Sequence, residues 1–83
     1  IYIPKIGEDP IEEVYEFKCP FNKLESLQGC PAEIENELDC RNNLLRKIDI
    51  TSSIGGDIDC TENFIVDKNN TGFMGWCGGE IFI

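Results

Sequence analysis

The stretch NNTGFMGWCGGEIFI, residues 69–83, combines a loop composition with apolar side chains that a protein normally buries. Four glycines frame Phe73, Met74 and Trp76, and glycine permits the tight and left-handed backbone of loops. The polar residues that open the stretch predict a turn, and its last four residues predict the start of a β-strand. The stretch therefore predicts an exposed apolar loop in a chain that is mostly β.

The apolar loop has two predicted uses. Tryptophan favours the boundary between water and lipid, because its ring is apolar while its N–H still needs a partner. Burial of Phe73, Met74 and Trp76 in a membrane would contribute about 5–8 kcal/mol, at roughly 1.5–3 kcal/mol for each side chain. The alternative is that these three side chains pack beneath a neighbouring domain.

The rest of the chain predicts further strands and one or two short helices. Residues 14–18, 44–50 and 58–66 are rich in β-branched, aromatic and other apolar residues, which favours strands. The apolar spacing within residues 21–28 predicts one helical turn, and Pro31 can open a second short helix. From the sequence we expect no internal repeat. The predicted fold class is mostly β with one or two short helices, stabilised by disulfides.

Five cysteines supply the covalent links that a thin core of 83 residues needs. No pair has the spacing of a zinc or redox motif and there is no histidine, so disulfides in an oxidising compartment are favoured over a metal site. The odd number predicts that at least one cysteine is free or pairs outside these residues. The candidates are Cys19, Cys30, Cys40, Cys60 and Cys77.

The net charge of −9 disfavours a nucleic-acid partner. The acids occur in clusters, which read either as a solvated surface or as groups that respond to mild acid through mutual repulsion. Asp57, Asp59 and Glu62 are the candidate pH sensors. No phosphate loop or activated nucleophile is visible, so we expect neither an enzyme nor a cofactor. Asn69 heads an N-glycosylation sequon.

Several motifs in the chain resemble those of one viral family. They are IYIP at 1–4, CP at 19–20, QGC at 28–30, DCT at 59–61 and TGFMGW at 71–76. In this order they resemble the N-terminal part of a rhabdovirus surface glycoprotein, a class III fusion protein, with EFKCP closest to the ephemerovirus pattern. The resemblance covers nearly the whole chain except residues 31–50, where it is poor.

The resemblance implies a piece of a multidomain glycoprotein on the virion or host-cell surface. Residues 1–18 would belong to a β-rich lateral domain, 19–50 to a pleckstrin-homology-like region, and 51–83 to an elongated fusion domain. The protein would act as a homotrimer in host attachment and in membrane fusion triggered by low pH.

The same resemblance assigns roles to individual residues. Phe73, Met74 and Trp76 would insert into the target membrane, and Arg46 and Lys47 would lie near a contact with the host receptor. Cys19 and Cys60 would pair with cysteines beyond residue 83, in the remainder of the glycoprotein.

Two alternatives to the viral reading stay open from the sequence. The first is a small secreted, disulfide-rich binding protein or toxin that could be linked to a second chain through its odd cysteine. The second, carried by the acids near Asp57, is an extracellular module that binds calcium.

Overall fold

The computed structural model describes residues 13–83, which contain eight strands of two residues each and no helix. The strands are β1 Glu13–Val14, β2 Phe17–Lys18, β3 Glu33–Ile34, β4 Leu38–Asp39, β5 Ser53–Ile54, β6 Ile58–Asp59, β7 Trp76–Cys77 and β8 Ile81–Phe82. The motif at residues 1–4 lies outside the described residues. Within them the expectation of a mostly β chain is confirmed.

The strands form two four-stranded parallel sheets that share one winding path. The first sheet has the order β1-β3-β5-β7 and the second has the order β2-β4-β6-β8. Each coil contributes one strand to each sheet and returns through a longer segment to start the next coil. We call residues 13–32 coil 1, 33–52 coil 2, 53–75 coil 3 and 76–83 coil 4. The architecture is a parallel β-solenoid, in which each repeat packs mainly on its neighbours.

The expectation that the chain has no internal repeat is wrong. Register partners along the first sheet are Val14, Ile34, Ile54 and Cys77, and those along the second are Phe17, Leu38, Ile58 and Ile81. The repeat is hard to see because coils 1 to 3 share only apolar positions and a Cys-x-x-Asn motif, at 19–22, 40–43 and 60–63. Coil 3 is also longer than coils 1 and 2, which disturbs the period.

Stacked apolar side chains fill the interior of the solenoid. Ile34, Leu38, Ile54 and Ile58 are almost completely buried, although none belongs to a strand longer than two residues. The return segments add further buried residues, namely Leu27, Leu45, Ile48 and Ile65. Each such side chain contributes about 1.5–3 kcal/mol by leaving water, so burial rather than strand length holds the coils together.

The predicted helices are wrong, and backbone geometry explains why. Phe21 and Lys23 have φ angles of 58° and 57°, which no right-handed helix tolerates. The apolar spacing of three in this segment arises because Leu24 and Leu27 turn toward the core from an irregular return segment. Pro31 is buried just before strand β3 and begins no helix.

The strand predictions are confirmed in part. Residues 14–18 form β1 and β2 with a bend between them, and residues 58–59 form β6. Residues 44–50 form no strand, because their apolar side chains fill the core from a return segment. Gly55 and Gly56 make the bend between β5 and β6, as expected of a turn.

Asparagine side chains join neighbouring coils at the second and third Cys-x-x-Asn motifs. Asn43 Nδ2 donates to the carbonyl oxygens of Cys19 and Cys40, both at 2.9 Å. Its Oδ1 accepts the N–H groups of Asn22 and Leu24, both at 3.0 Å. One buried side chain therefore satisfies backbone groups in coils 1 and 2 that the turn leaves without partners.

Asn63 repeats this arrangement one coil later. Its Nδ2 donates to the carbonyl oxygens of Cys40 at 3.0 Å and Cys60 at 3.1 Å, and its Oδ1 accepts the N–H of Leu45 at 2.9 Å. The motif thus encodes a repeated turn whose asparagine also clamps the preceding coil.

The third residue of each motif has a left-handed backbone. Phe21, Asn42 and Glu62 have φ angles of 58°, 57° and 56°. Asparagine adopts this conformation readily, whereas other side chains pay about 1–2 kcal/mol. Glu62→Gly is therefore expected to raise the free energy of unfolding by about 0.5–1 kcal/mol, as measured by urea denaturation. Glu25→Gly is the matched control, because Glu25 is exposed and its φ is not left-handed. It should lower stability by a similar amount, and a loss at both positions would contradict the strain at Glu62.

Both strand ladders run without interruption past residues 18 and 50. Lys18 pairs with Asp39 in the second sheet, and the first sheet continues from Ile34 to Ile54. The expected boundaries between the three viral regions stay a prediction.

Candidate binding surface

The structure places Trp76 in strand β7, on the outer face of the first sheet. Trp76 is the register partner of Ser53, which is in turn the partner of Glu33. All three residues are exposed, while their strand neighbours Ile34 and Ile54 point into the core. The row therefore faces solvent because side chains alternate between the two faces of a sheet.

The Trp76 ring lies along the surface where Gly78 leaves room for it. Its Cη2 atom is 2.8 Å from the position that a Cβ on Gly78 would occupy. Gly78 lies against Gly55 of the preceding coil, whose carbonyl oxygen would be 2.6 Å from the same Cβ. The indole is 60% exposed. Two stacked glycines thus form a floor beside a largely exposed aromatic ring.

The three residues of the predicted apolar loop have different environments. Phe73 is half-buried and packs against the core, so it is not presented to solvent as its neighbours are. Met74 is 82% exposed and its N–H donates to the carbonyl of Ile50 at 3.2 Å. Trp76 continues this pairing by donating to the carbonyl of Ser52 at 3.2 Å. Two backbone hydrogen bonds therefore tie the segment to coil 2, and membrane insertion of the three residues stays a prediction.

One carboxylate, Glu33, lies on the same face of the first sheet as Trp76, and a second, Glu35, lies in the bend that follows β3. Glu33 is two register steps away, roughly 10 Å at a strand spacing of 4.8 Å. Glu35 follows two residues later, and its backbone carbonyl lies against Gly55. Both are exposed, and neither forms an ion pair with any other residue in 13–83. By contrast, Lys18 on the second sheet lies 3.2 Å from Glu37, and this hydrogen bond raises the Lys18 pKa.

The candidate pH sensors make local contacts. Asp57 Oδ1 accepts the N–H of Glu80 at 2.9 Å, which links coils 3 and 4. Asp59 Oδ1 accepts the N–H of Thr61 at 3.1 Å and its hydroxyl at 2.7 Å. Glu62 is exposed on the left-handed turn. A structural role in turns accounts for both aspartates, and their pH sensing stays a prediction.

All five cysteines are free thiols in the structure. Cys19, Cys40 and Cys60 stack in the core at one position of successive coils, and each is at most 1% exposed. Burial raises the pKa of Cys19 and of the half-buried Cys30 to about 12. The Cys77 thiol donates to the carbonyl of Gly56 at 3.2 Å. The links of Cys19 and Cys60 to cysteines beyond residue 83 stay predictions.

The remaining predicted sites lie on return segments. Asn69 is exposed on a turn, where its N–H donates to Asp67 Oδ1 at 2.9 Å. Arg46 and Lys47 are exposed in coil 2. Asn69 is thus placed where a glycan would meet solvent, and both glycosylation and receptor contact stay predictions.

Two open cavities flank the return from coil 2 to the first sheet. A cavity of about 470 Å³ is lined by residues that include Cys30 and Asp49, and one of about 180 Å³ lies between Lys47 and Met74. Asp49 has a structural role, because its Oδ1 accepts the N–H of Leu27 at 2.8 Å and so links coil 2 to coil 1. Neither cavity brings together groups that would perform chemistry.

No protein-family model, characterised protein or solved structure matches the chain. Within residues 13–83 no helix has the length and apolar character needed to cross a membrane. The same residues contain no cluster of three or more potential ligands for a metal ion.

Sequence reasoning missed the carboxylates near Trp76. Glu33 and Glu35 belong to an acidic cluster that reads as ordinary surface charge when the chain is taken as linear. The spacing of 20 residues between Glu33 and Ser53 and of 23 between Ser53 and Trp76 becomes informative only when the coils are aligned. The repeated Cys-x-x-Asn motif was the signal that could have supplied this alignment.

Proposed function

We propose that the solenoid is a non-catalytic binding module that holds a basic polypeptide segment on the outer face of its first sheet. The observation that carries the proposal is the exposed Trp76 ring beside two stacked glycines, on the same sheet face as Glu33 and with Glu35 in the adjoining bend. Neither carboxylate has an ion-pair partner among the described residues. An arginine or lysine above the ring is attracted to its π face, and a second basic side chain can reach a carboxylate.

Charge and shape both favour this class of partner. The net charge of −9 attracts basic segments over distance and repels anionic ones. Because Ser53, Gly55 and Gly78 are small, the floor between the ring and the carboxylates is shallow enough for an extended chain. Met74 adds a flexible apolar contact beside the ring.

Calorimetric titration with a short peptide of alternating arginine and glycine tests the proposal. Trp76→Ala should weaken binding about tenfold or more, because the cation–π contact is lost. Phe82→Ala is the matched control, since Phe82 is an exposed aromatic residue on the second sheet. It should leave the affinity within about twofold.

The charge contribution is tested in the same titration. The double variant Glu33→Gln/Glu35→Gln should also weaken binding about tenfold, and added salt should reduce the wild-type affinity. Glu25→Gln/Glu62→Gln makes the same charge change on exposed return segments and should have little effect. Equal losses in the two double variants would show a general charge effect and contradict a defined site.

A second candidate is the membrane contact implied by the resemblance to rhabdovirus glycoproteins. The exposure of Met74 and Trp76, at 82% and 60%, supports it, because exposed apolar side chains two residues apart can enter a lipid surface. The chain would then act with the remainder of a trimeric glycoprotein and a host receptor. Flotation with liposomes in mild acid, lost in Trp76→Asp, together with no peptide binding, would favour this candidate over the first.

A further inference from the structure

We propose that Tyr15 is a second aromatic contact for the bound basic segment, which therefore carries basic residues at the alternate positions i, i+2 and i+4. Tyr15 is 65% exposed and lies in the bend between β1 and β2. The inference rests on the proposed function and adds the direction, the length and the residue spacing of the partner.

The bends between the two sheets stack into one column that connects Tyr15 to the Trp76 ring. The N–H groups of Glu35, Gly55 and Gly78 each donate to a carbonyl of the preceding coil, at 2.9, 2.9 and 2.8 Å. The three accepting residues directly precede Tyr15, Glu35 and Gly55 in the sequence. One position of coils 1 to 4 is therefore occupied by Tyr15, Glu35, Gly55 and Gly78, and the Trp76 ring lies beside the last of them.

The spacing of the coils sets the distance between the two aromatic residues. Three steps of about 4.8 Å separate Tyr15 from Gly78, so the two rings lie roughly 14 Å apart along the solenoid axis. An extended polypeptide rises about 3.4 Å per residue and points every second side chain to the same face. Residues i and i+4 of a segment that runs along the axis therefore reach the two rings.

Glu35 supplies a carboxylate between the two aromatic residues. The carbonyl of Tyr15 accepts the N–H of Asn36 at 2.6 Å, so the bend that carries Glu35 lies directly on the bend that carries Tyr15. Glu35 is exposed, and a basic side chain at i+2 can form a charge-assisted hydrogen bond with it. The column thus offers an aromatic ring, a carboxylate and a second aromatic ring to three alternate basic residues, which matches the net charge of −9.

Calorimetric titration of the full chain with two peptides of equal length and charge tests the proposal. The peptide Arg-Gly-Arg-Gly-Arg places its cations at i, i+2 and i+4, whereas Arg-Arg-Arg-Gly-Gly spans only about 7 Å between its outer cations and points the middle one away from the surface. The first peptide should bind about two- to fivefold more tightly, because it alone reaches both rings. Equal affinities of the two peptides would overturn the proposal.

Variants of Tyr15 attribute the preference between the peptides to its ring. Tyr15→Leu should abolish the preference, and Tyr15→Phe should retain it, because phenylalanine keeps the π face. Phe21→Leu is the matched control and should also retain it, since Phe21 is an exposed aromatic residue of coil 1 outside the column. A preference that survives Tyr15→Leu would overturn this inference and leave the Trp76 site intact, whereas absence of binding by either peptide would overturn the proposed function as well.

Discussion

Replacement of Asn43 with alanine is expected to lower the free energy of unfolding by about 3–4 kcal/mol. The side chain is 4% exposed and joins coils 1 and 2 through bonds to Cys19, Cys40, Asn22 and Leu24. Alanine removes this partner from the Cys19 carbonyl and from the N–H groups of Asn22 and Leu24, while the Cys40 carbonyl keeps its bond from Asn63. Each buried unsatisfied group costs about 1–3 kcal/mol unless water reaches it. The loss would be a large part of the 5–15 kcal/mol typical of a domain.

Asn22→Ala is the matched control for this prediction. Asn22 occupies the same position of the motif in coil 1, but it is exposed and its side chain donates only to the carbonyl of Pro20, at 3.0 Å. We expect a loss below about 1 kcal/mol in urea denaturation. Similar small losses at both positions would mean that Asn43 does not clamp the coils.

Replacement of Gly55 with alanine is expected to lower the free energy of unfolding by about 3 kcal/mol. A Cβ at this position would overlap the carbonyl oxygen of Glu35, and would be 3.1 Å from its carbonyl carbon. These are backbone atoms, so relief requires coils 2 and 3 to separate. The overlap outweighs the gain of about 0.4–1 kcal/mol that alanine brings by restricting the unfolded chain.

Ser53→Ala provides the control for Gly55. Ser53 is two residues away in the same coil, is exposed, and points away from the core. Its replacement should change stability by no more than about 0.5 kcal/mol. A neutral Gly55→Ala variant would contradict the close approach of coils 2 and 3 at the first sheet.

Local sequence signals predicted β structure but not how the strands associate. Alternation in residues 14–18 identified a strand region, and Gly55–Gly56 identified a bend. Neither feature distinguishes a parallel ladder between coils from local hairpins, because strand pairing depends on residues about 20 positions apart. The two helices failed for a related reason: spacing of three or four occurs wherever a return segment turns apolar side chains inward.

Of the residues of the candidate surface, only the exposed apolar ones were predictable from the sequence. Trp76 and Met74 were recognisable as unusual because they lie among glycines, and both are exposed as expected. Phe73 was not distinguishable from them by composition, yet it packs toward the core. Glu33 and Glu35 could not be connected with Trp76 from the sequence, because only the winding of the chain places coil 2 two strands away from Trp76.

The fluorescence of Trp76 gives the most direct test of the binding surface, because it is the only tryptophan in the chain. Titration of the wild-type chain with the arginine–glycine peptide should produce a saturable change in its emission. A glutamate–glycine peptide should produce no change, and salt should weaken the response to the arginine–glycine peptide. An emission spectrum that stays constant through saturating peptide would contradict the account, because no basic side chain would then be in contact with the indole.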